Sequence, residues 1–153
     1  MVENKLLWGN LTWRFFHTLA EKVDENKFIT IRRDLINIVL NISNNLPCPD
    51  CSEHASKLLK KAYIEKIVTK NDFKEFLRQF HNIINIKLEK KCVSKKELDD
   101  LYKNENLYFL LNKLVYTYLS IKTSERMMNY NFQKKQYLRK LVGDINRLKD
   151  NFN

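Results

Sequence analysis

Apolar side chains recur along the chain at spacings of three and four residues, the repeat that places side chains on one face of an α-helix. One such stripe covers residues 8–23 and the next covers residues 28–44. A third begins around Cys48, where the following Pro49 suits the first turn of a helix. A fourth covers residues 71–90. Four amphipathic segments joined by short links predict an all-α fold built on a four-helix bundle.

The last third of the chain continues the helical pattern. Residues 105–121 are strongly apolar and residues 124–150 are polar and rich in Lys, and each segment predicts a helix. Neither segment contains Cys or His. We therefore expect a bundle domain over residues 1–102 and a helical C-terminal extension over residues 103–153. The pattern leaves open whether the extension packs on the bundle or forms an oligomer interface.

Composition supports helices joined by short connections. The chain has 153 residues, enough for one domain, and contains only 2 Gly and 2 Pro, whereas sheet proteins need many turn residues. The net charge is +10, but the Lys residues are spread along the chain without an Arg-rich helix, which indicates a solvated surface and not a nucleic-acid partner. No apolar run is long enough to span a bilayer and the N-terminus lacks a signal-peptide core, so we expect no membrane partner and a cytoplasmic location.

The strongest chemical signal is the pair of cysteines in Cys48-Pro49-Asp50-Cys51. Two cysteines at this spacing can close a small disulfide ring, and the positive end of a helix would favour a thiolate there. The same pair is also half of a zinc site, since zinc takes four ligands of this type. The remaining ligands of such a site would come from Cys92, His17, His54 and His81. Three cysteines do not make a secreted disulfide framework.

A second cluster lies in the first predicted helix. Gly9, Trp13 and His17 are four residues apart and therefore share one helix face. A glycine permits close approach, an indole offers a flat surface and an imidazole supplies a polar edge, a suitable wall for a planar cofactor. The alternative interpretation is a core tryptophan beside a hydrogen-bonded histidine.

A third cluster lies in the fourth predicted helix, where Phe80, His81 and Asn82 are followed by Asn85 and Lys90. Two carboxamides and an imidazole on a buried face need hydrogen-bonding partners, because unpaired polar groups in a core are costly. A ligand rich in donors and acceptors would satisfy them. A capping or interhelical hydrogen-bond network would do so too.

Together the three clusters resemble the Erv/ALR family of FAD-linked sulfhydryl oxidases, in the family's order and at its spacing. The matching motifs are Trp8-Gly9-x-x-x-Trp13-x-x-x-His17-Thr18-x-Ala20, Pro47-Cys48-x-x-Cys51-x-x-His54 and His81-Asn82-x-x-Asn85-x-x-Leu88-x-Lys90. The resemblance implies a helical bundle that binds FAD non-covalently. The implied cofactor-binding residues are Gly9, Trp13, His17, His54, Phe80, His81, Asn82, Asn85 and Lys90, with no metal.

The same resemblance implies the chemistry. Cys51 would lie next to the flavin and Cys48 would exchange with substrate, so that electrons pass from protein dithiols to FAD and then to oxygen, giving disulfides and hydrogen peroxide. The implied partners are dithiol proteins or a thioredoxin-like upstream protein, and the implied assembly is a homodimer. A zinc-binding or scaffold protein using the cysteine pair structurally remains the alternative.

Departures from the family pattern are informative. The chain has no second cysteine pair to shuttle electrons, and Cys92 has no evident disulfide partner. Glu89 replaces the Gly that commonly precedes Lys90. This minimal cysteine set is closest in type to the versions of large cytoplasmic DNA viruses or their satellites, which implies a place in the host cytoplasm or the virion.

Overall fold

The computed structural model describes residues 2–121 and 128–153, excluding the side chains of residues 2–4 and 128–131. Within these ranges the chain forms seven α-helices and no strand, which confirms the all-α prediction. The helices are α1 (Val2–Lys22), α2 (Phe28–Asn44), α3 (Pro49–Lys60), α4 (Lys70–Lys87), α5 (Lys95–Tyr102), α6 (Leu107–Ser120) and α7 (Met128–Arg147). Short 3₁₀-helices cover Ile64–Lys66 and Lys149–Asn151.

The helix bounds follow the apolar stripes closely. The predicted segment 28–44 coincides with α2, and the fourth segment lies within three residues of α4 at both ends. Helix α1 starts six residues earlier than its apolar stripe. The predicted segment 124–150 contains α7, while residues 124–127 fall outside the part of the chain that the structure describes.

Helix α5 is the element that the apolar pattern missed. Its start does carry a local signal, because the hydroxyl of Ser94 accepts a hydrogen bond of 3.1 Å from the backbone N–H of Glu97. Such an N-cap satisfies one of the free N–H groups of the first turn. The helix has only eight residues and one buried apolar side chain, Leu98, so its stripe is too short to stand out.

Helix α1 lies at the centre of the core, packed against α4, α5 and α6. Phe15 and Leu19 of α1 are fully buried, as are Phe73 and Leu77 of α4. Burying side chains of this size contributes roughly 1.5–3 kcal/mol each to stability, so this face holds the bundle together.

Helix α6 adds a buried polar contact to the same core. The hydroxyl of Tyr118 lies 2.5 Å from the Thr12 hydroxyl, which in turn donates to the carbonyl of Trp8. The ring of Tyr118 also meets Trp8 edge to face. The extension therefore shares the core of the bundle, and the boundary at residues 102 and 103 stays a prediction.

Helix α7 runs antiparallel to α2. Tyr137 in its middle donates a hydrogen bond to Asn45 just after the end of α2, and Arg147 at its end pairs with Asp34 nearer the start of α2. None of the helices in the described ranges is long and apolar enough to cross a membrane.

Candidate active site

The cysteine pair lies at the N-terminus of α3. Cys48 is the N-cap residue, Pro49 occupies the first turn as the sequence predicts, and Cys48 and Cys51 form a disulfide with a Cα–Cα distance of 5.2 Å. The backbone N–H of Cys51 donates to Sγ of Cys48 at 3.3 Å. Both cysteines are partly exposed. This position lets the helix dipole and a main-chain N–H stabilise negative charge on Cys48 when the disulfide opens.

Side chains from α1, α4 and α5 form a stack of rings. Trp13 lies against His81 with ring centroids 4.1 Å apart and planes 9° from parallel. His17 lies beside His81, edge to edge with ring centroids 5.1 Å apart, and Tyr102 stacks on His17 at 5.3 Å. Phe80 closes one side, edge-on to Trp13. The structure thus brings together four of the predicted cofactor-binding residues.

A hydrogen bond crosses the ring stack. Nε2 of His17 lies 2.9 Å from Nδ1 of His81, so one nitrogen donates and the other accepts. Burial, followed by the nearby His81, lowers the pKa of His17 to about 3. Burial and the charge of Lys90 lower the pKa of His81 to about 4. Both imidazoles are therefore neutral at neutral pH.

Tyr102 is the residue of this site that the sequence reasoning did not identify. It is the last residue of α5, and burial raises the pKa of its phenol. Its ring stacks on that of His17, with the centroids 5.3 Å apart and the planes 27° from parallel. The signal that could have found it is the N-cap at Ser94, which places Leu98 and Tyr102 one turn apart on one helix face.

The two predicted asparagines differ in their surroundings. The Asn82 amide donates to the carbonyl of Val93 at 2.9 Å and accepts from the Val93 N–H at 2.8 Å. Asn82 therefore fastens the segment after α4 back onto the helix. Asn85 is only 6% exposed, yet its side chain makes no hydrogen bond with another described residue. Its carboxamide is therefore available to a ligand.

The C-terminus of α4 ends in a Schellman motif. The N–H of Lys90 donates to the carbonyl of Asn85 and the N–H of Glu89 donates to that of Ile86. Glu89 adopts a positive φ of 56°, the conformation for which glycine is the usual residue. The motif turns the chain so that the charge of Lys90 acts on His81.

The other two predicted binding residues lie at the edges of the site. His54 is partly exposed on α3, and its pKa is lowered by burial and by the charges of Lys87 and Lys57. His54 is therefore near enough to the end of α4 to feel the charge of Lys87. Gly9 stands on α1 with nothing within 4 Å of a Cβ built on it, so the protein itself does not require a glycine there.

The structure gives the zinc alternative no support. The cysteines that would start the site are joined to each other. Among the described residues no group of three or more His, Cys, Asp or Glu side chains is arranged to hold a metal ion. Cys92 is an exposed free thiol beyond the end of α4.

Comparison with known proteins gives a consistent result. The Erv1/Alr family model matches residues 10–103, which include the cysteine pair and all of α2 to α5. The FAD-linked sulfhydryl oxidase of African swine fever virus is 30% identical over 111 residues, covering 72% of this chain and 89% of the relative.

Two further relatives match over a smaller share of this chain. The putative FAD-linked sulfhydryl oxidase 096R of Invertebrate iridescent virus 3 is 28% identical over 98 residues, covering 63% of this chain and 66% of its own length. The FAD-linked sulfhydryl oxidase ERV1 of Oryza sativa is 30% identical over 82 residues, covering 54% of this chain and 42% of its own length. No solved structure matches the chain.

Proposed function

Because the chain belongs to the Erv1/Alr family, we propose that it is an enzyme, an FAD-linked sulfhydryl oxidase that forms disulfides in dithiol substrates. The observation that carries this proposal is the partly exposed Cys48–Cys51 disulfide at the N-terminus of α3. A pair placed there is accessible to an incoming thiol, and the N-terminus of the helix stabilises thiolate charge when the disulfide opens.

The chain's donor set fits FAD. Trp13, His81, His17 and Tyr102 offer flat aromatic surfaces, which suit the rings of a dinucleotide. The buried carboxamide of Asn85 offers a donor and an acceptor that no described residue uses. The residues that would hold FAD are Gly9, Trp13, His17, His54, Phe80, His81, Asn82, Asn85, Lys90 and Tyr102.

The basic end of α4 fits the charged part of the same cofactor. Lys87 and Lys90 are both exposed there, and each acts electrostatically on a histidine of the site. A diphosphate carries negative charge, which such ammonium groups attract. Asn82 contributes by fixing the loop that contains Lys90, through its two bonds to Val93.

Cys48 begins the exchange in this proposal. A substrate thiolate attacks Sγ of Cys48, the bond between the two cysteines breaks, and Cys51 leaves as a thiolate. The second substrate thiol then attacks the mixed disulfide, which releases Cys48 and leaves a disulfide in the substrate. Two electrons and two protons have then passed to the chain. FAD held by these residues would supply the acceptor for the two electrons and their route to oxygen, with hydrogen peroxide as the product.

The neutral histidines define what the ring stack does. With the pKa of His17 at about 3 and that of His81 at about 4, the stack carries no charge at neutral pH. A neutral imidazole pair presents polarisable rings and one shared hydrogen bond, so it orients a planar group without repelling it. We assign these side chains to cofactor orientation and not to proton transfer.

A spectroscopic assay tests the proposal. The purified full-length protein is expected to be yellow, and its flavin absorption should bleach when a dithiol is added without oxygen. Readmitting oxygen should restore the colour and yield one hydrogen peroxide for each disulfide formed. Protein that stays colourless after incubation with FAD and consumes no oxygen with a dithiol would contradict the proposal.

The proposal also covers the electron donor, the assembly and the location of the protein. We propose dithiol proteins, or a thioredoxin-like protein upstream, as electron donors, and a homodimer as the assembly. Because relatives of the chain are encoded by viruses, we also propose a place in the host cytoplasm or the virion. Mass measurement in solution tests the dimer, and mixed-disulfide trapping with Cys51→Ala identifies the donor.

A further inference from the structure

We infer that Tyr137, in the C-terminal extension, is a positioning residue for the cysteine pair and acts through the main chain of Asn45. The phenol of Tyr137 donates a hydrogen bond of 3.2 Å to the carbonyl oxygen of Asn45, which lies 92 residues earlier in the chain. Asn45 in turn precedes Cys48 by three residues. The inference rests on the proposed thiol exchange at Cys48 and gives the extension a part in it.

Asn45 ends α2 and begins the short link to the cysteine pair. Its N–H donates to the carbonyl of Ile42 at 3.0 Å, and its side-chain amide donates to the carbonyl of Asn41 at 2.7 Å. The carbonyl of Asn45 points out of the helix end, where backbone oxygens have no intrahelical donor. Tyr137 supplies a donor from a distant part of the chain.

A second hydrogen bond restrains the next residue, Leu46. The N–H of Leu46 donates to the hydroxyl of Ser52 at 2.8 Å. Ser52 lies in the first turn of α3, next to Cys51, so this bond is local to the redox segment. Of these two hydrogen bonds, the one from Tyr137 connects the link to a separate helix, α7.

Helix α7 is a fixed support for Tyr137. Its far end is fastened by the pair of Arg147 with Asp34, at 3.1 Å. Beyond it, the N–H of Asn153 donates to the carbonyl of Lys22 at 2.6 Å. The ten residues from Tyr137 to Arg147 span about 15 Å of helix. The extension thus bridges from the start of α2 to the link that precedes the cysteines.

The side chains around Asn45 leave open space beside its hydrogen bond with Tyr137. A cleft of about 150 Å³ opens between α2 and α7 beside it, lined in part by Asn41, Asn45, Tyr137 and Lys140. Space is therefore available on this side of Asn45, where the bond to Tyr137 adds a directional restraint. Removing the hydroxyl removes this restraint while the aromatic ring of residue 137 is kept.

Freedom in the link lowers the tendency of the two cysteines to join. A disulfide needs its two sulfurs in a narrow geometry, and Cys48 reaches Cys51 from the end of this link. When oxidised dithiothreitol oxidises the reduced pair, the protein gains one S–S bond and dithiothreitol takes up two electrons and two protons. The equilibrium constant of this exchange measures how well Cys48 is held near Cys51.

The test is a redox titration of Tyr137→Phe in the full-length chain, with mixtures of oxidised and reduced dithiothreitol. Alkylation of free thiols and mass measurement give the oxidised fraction at each ratio, with Cys92 as an unpaired thiol in every sample. The expected result is an equilibrium constant lowered by about two- to tenfold, the value of one net hydrogen bond. The matched control Tyr116→Phe alters a side chain that is 75% exposed and should titrate like the parent protein.

A second variant keeps the inference testable. Ser52→Ala removes the local hold on Leu46 and should shift the equilibrium in the same direction. If Ser52→Ala shifts the titration while Tyr137→Phe does not, the phenol only anchors the extension and the inference is wrong. The titration needs neither flavin nor oxygen, so its failure is distinct from failure of the proposed oxidase activity.

Discussion

Nε2 of His17 lies 2.9 Å from Nδ1 of His81, and this hydrogen bond joins α1 to α4 inside the ring stack. A neutral imidazole has one donor and one acceptor nitrogen, so the bond needs at least one neutral ring. Protonating both rings would place two positive charges in a largely buried contact. Burial disfavours the charged form of each ring and is the main reason that the pKa of His17 falls to about 3 and that of His81 to about 4, with smaller contributions from His81 on His17 and from Lys90 on His81.

We predict that stability falls as the pH falls from about 6.5 toward 4. In this range the unfolded chain protonates both histidines, whose ordinary pKa is 6.5, while the folded chain protonates neither. The unfolded state therefore binds more protons, and the free energy of unfolding rises with pH. The slope approaches about 1.4 kcal/mol per pH unit for buried His17 and is smaller for His81. Urea unfolding midpoints measured across this range check the prediction.

Two variants separate this effect from that of the carboxylates. His17→Gln should flatten the pH dependence, because the side chain no longer titrates. His54→Gln changes a partly exposed imidazole and should leave the slope nearly as it was. A His17→Gln protein with the parent's pH dependence would contradict the assignment.

The cysteine variants should divide into two classes. Cys48→Ala and Cys51→Ala each remove one atom of the disulfide and should abolish dithiol oxidation, with turnover reduced at least about a thousandfold if the pair acts as a unit. Cys92→Ala should keep turnover near the parent rate, since the thiol of Cys92 is free and exposed. Oxygen consumption with a dithiol substrate gives the rates.

Trapping experiments extend the same comparison. In Cys51→Ala, Cys48 is first activated as its mixed disulfide with 2-nitro-5-thiobenzoate. A substrate thiolate then displaces the aromatic thiolate, so the variant should form a stable adduct with a dithiol protein whose second thiol has been replaced. An inactive Cys92→Ala would instead make Cys92 a shuttle thiol and overturn the assignment.

Asn82→Ala should destabilise the protein. The change removes both hydrogen bonds to Val93 and leaves its N–H and carbonyl without this partner. Losing two partly buried bonds costs about 1–3 kcal/mol, and urea unfolding measures it. The affinity for FAD should fall as well, because the loop with Lys90 is no longer fastened.

Asn85→Ala is the matched comparison, one turn further along α4. Its carboxamide makes no hydrogen bond with another described residue, so the substitution should cost less stability than Asn82→Ala. Its affinity for FAD should fall all the same, as measured by flavin fluorescence on titration. Equal losses of stability from the two substitutions would count against their separate roles.

Glu89→Gly should stabilise the protein. Glu89 has a φ of 56° at the Schellman turn, and a residue with a Cβ is strained in that conformation. Glycine relieves the strain, with an expected gain of about 1 kcal/mol in the free energy of unfolding. Glu89→Ala removes the same charge but keeps the Cβ, so it should not show this gain. A gain of equal size in both variants would assign the effect to charge.

The repeat of apolar residues along the chain was enough to predict the helices that have a long apolar face. Residues 28–44 coincide with α2 because eight buried positions mark one face of it. Helix α5 was not predicted because it buries a single side chain, Leu98. With α5 the sequence reasoning also missed Tyr102, whose place on His17 depends on how α5 packs against α1.

The sequence by itself determined the cysteine pair and its position at the N-terminus of a helix. It also determined the two helices, α1 and α4, that contain Trp13, His17 and His81. These features depend on residue type and on spacing within one helix, which are local. Only the tertiary structure decided which residues form the long-range hydrogen bonds. These bonds join His17 to His81, Asn82 to Val93 and Tyr137 to Asn45. These contacts join residues that are far apart in the chain, and their partners follow from how the helices pack, which no local pattern encodes.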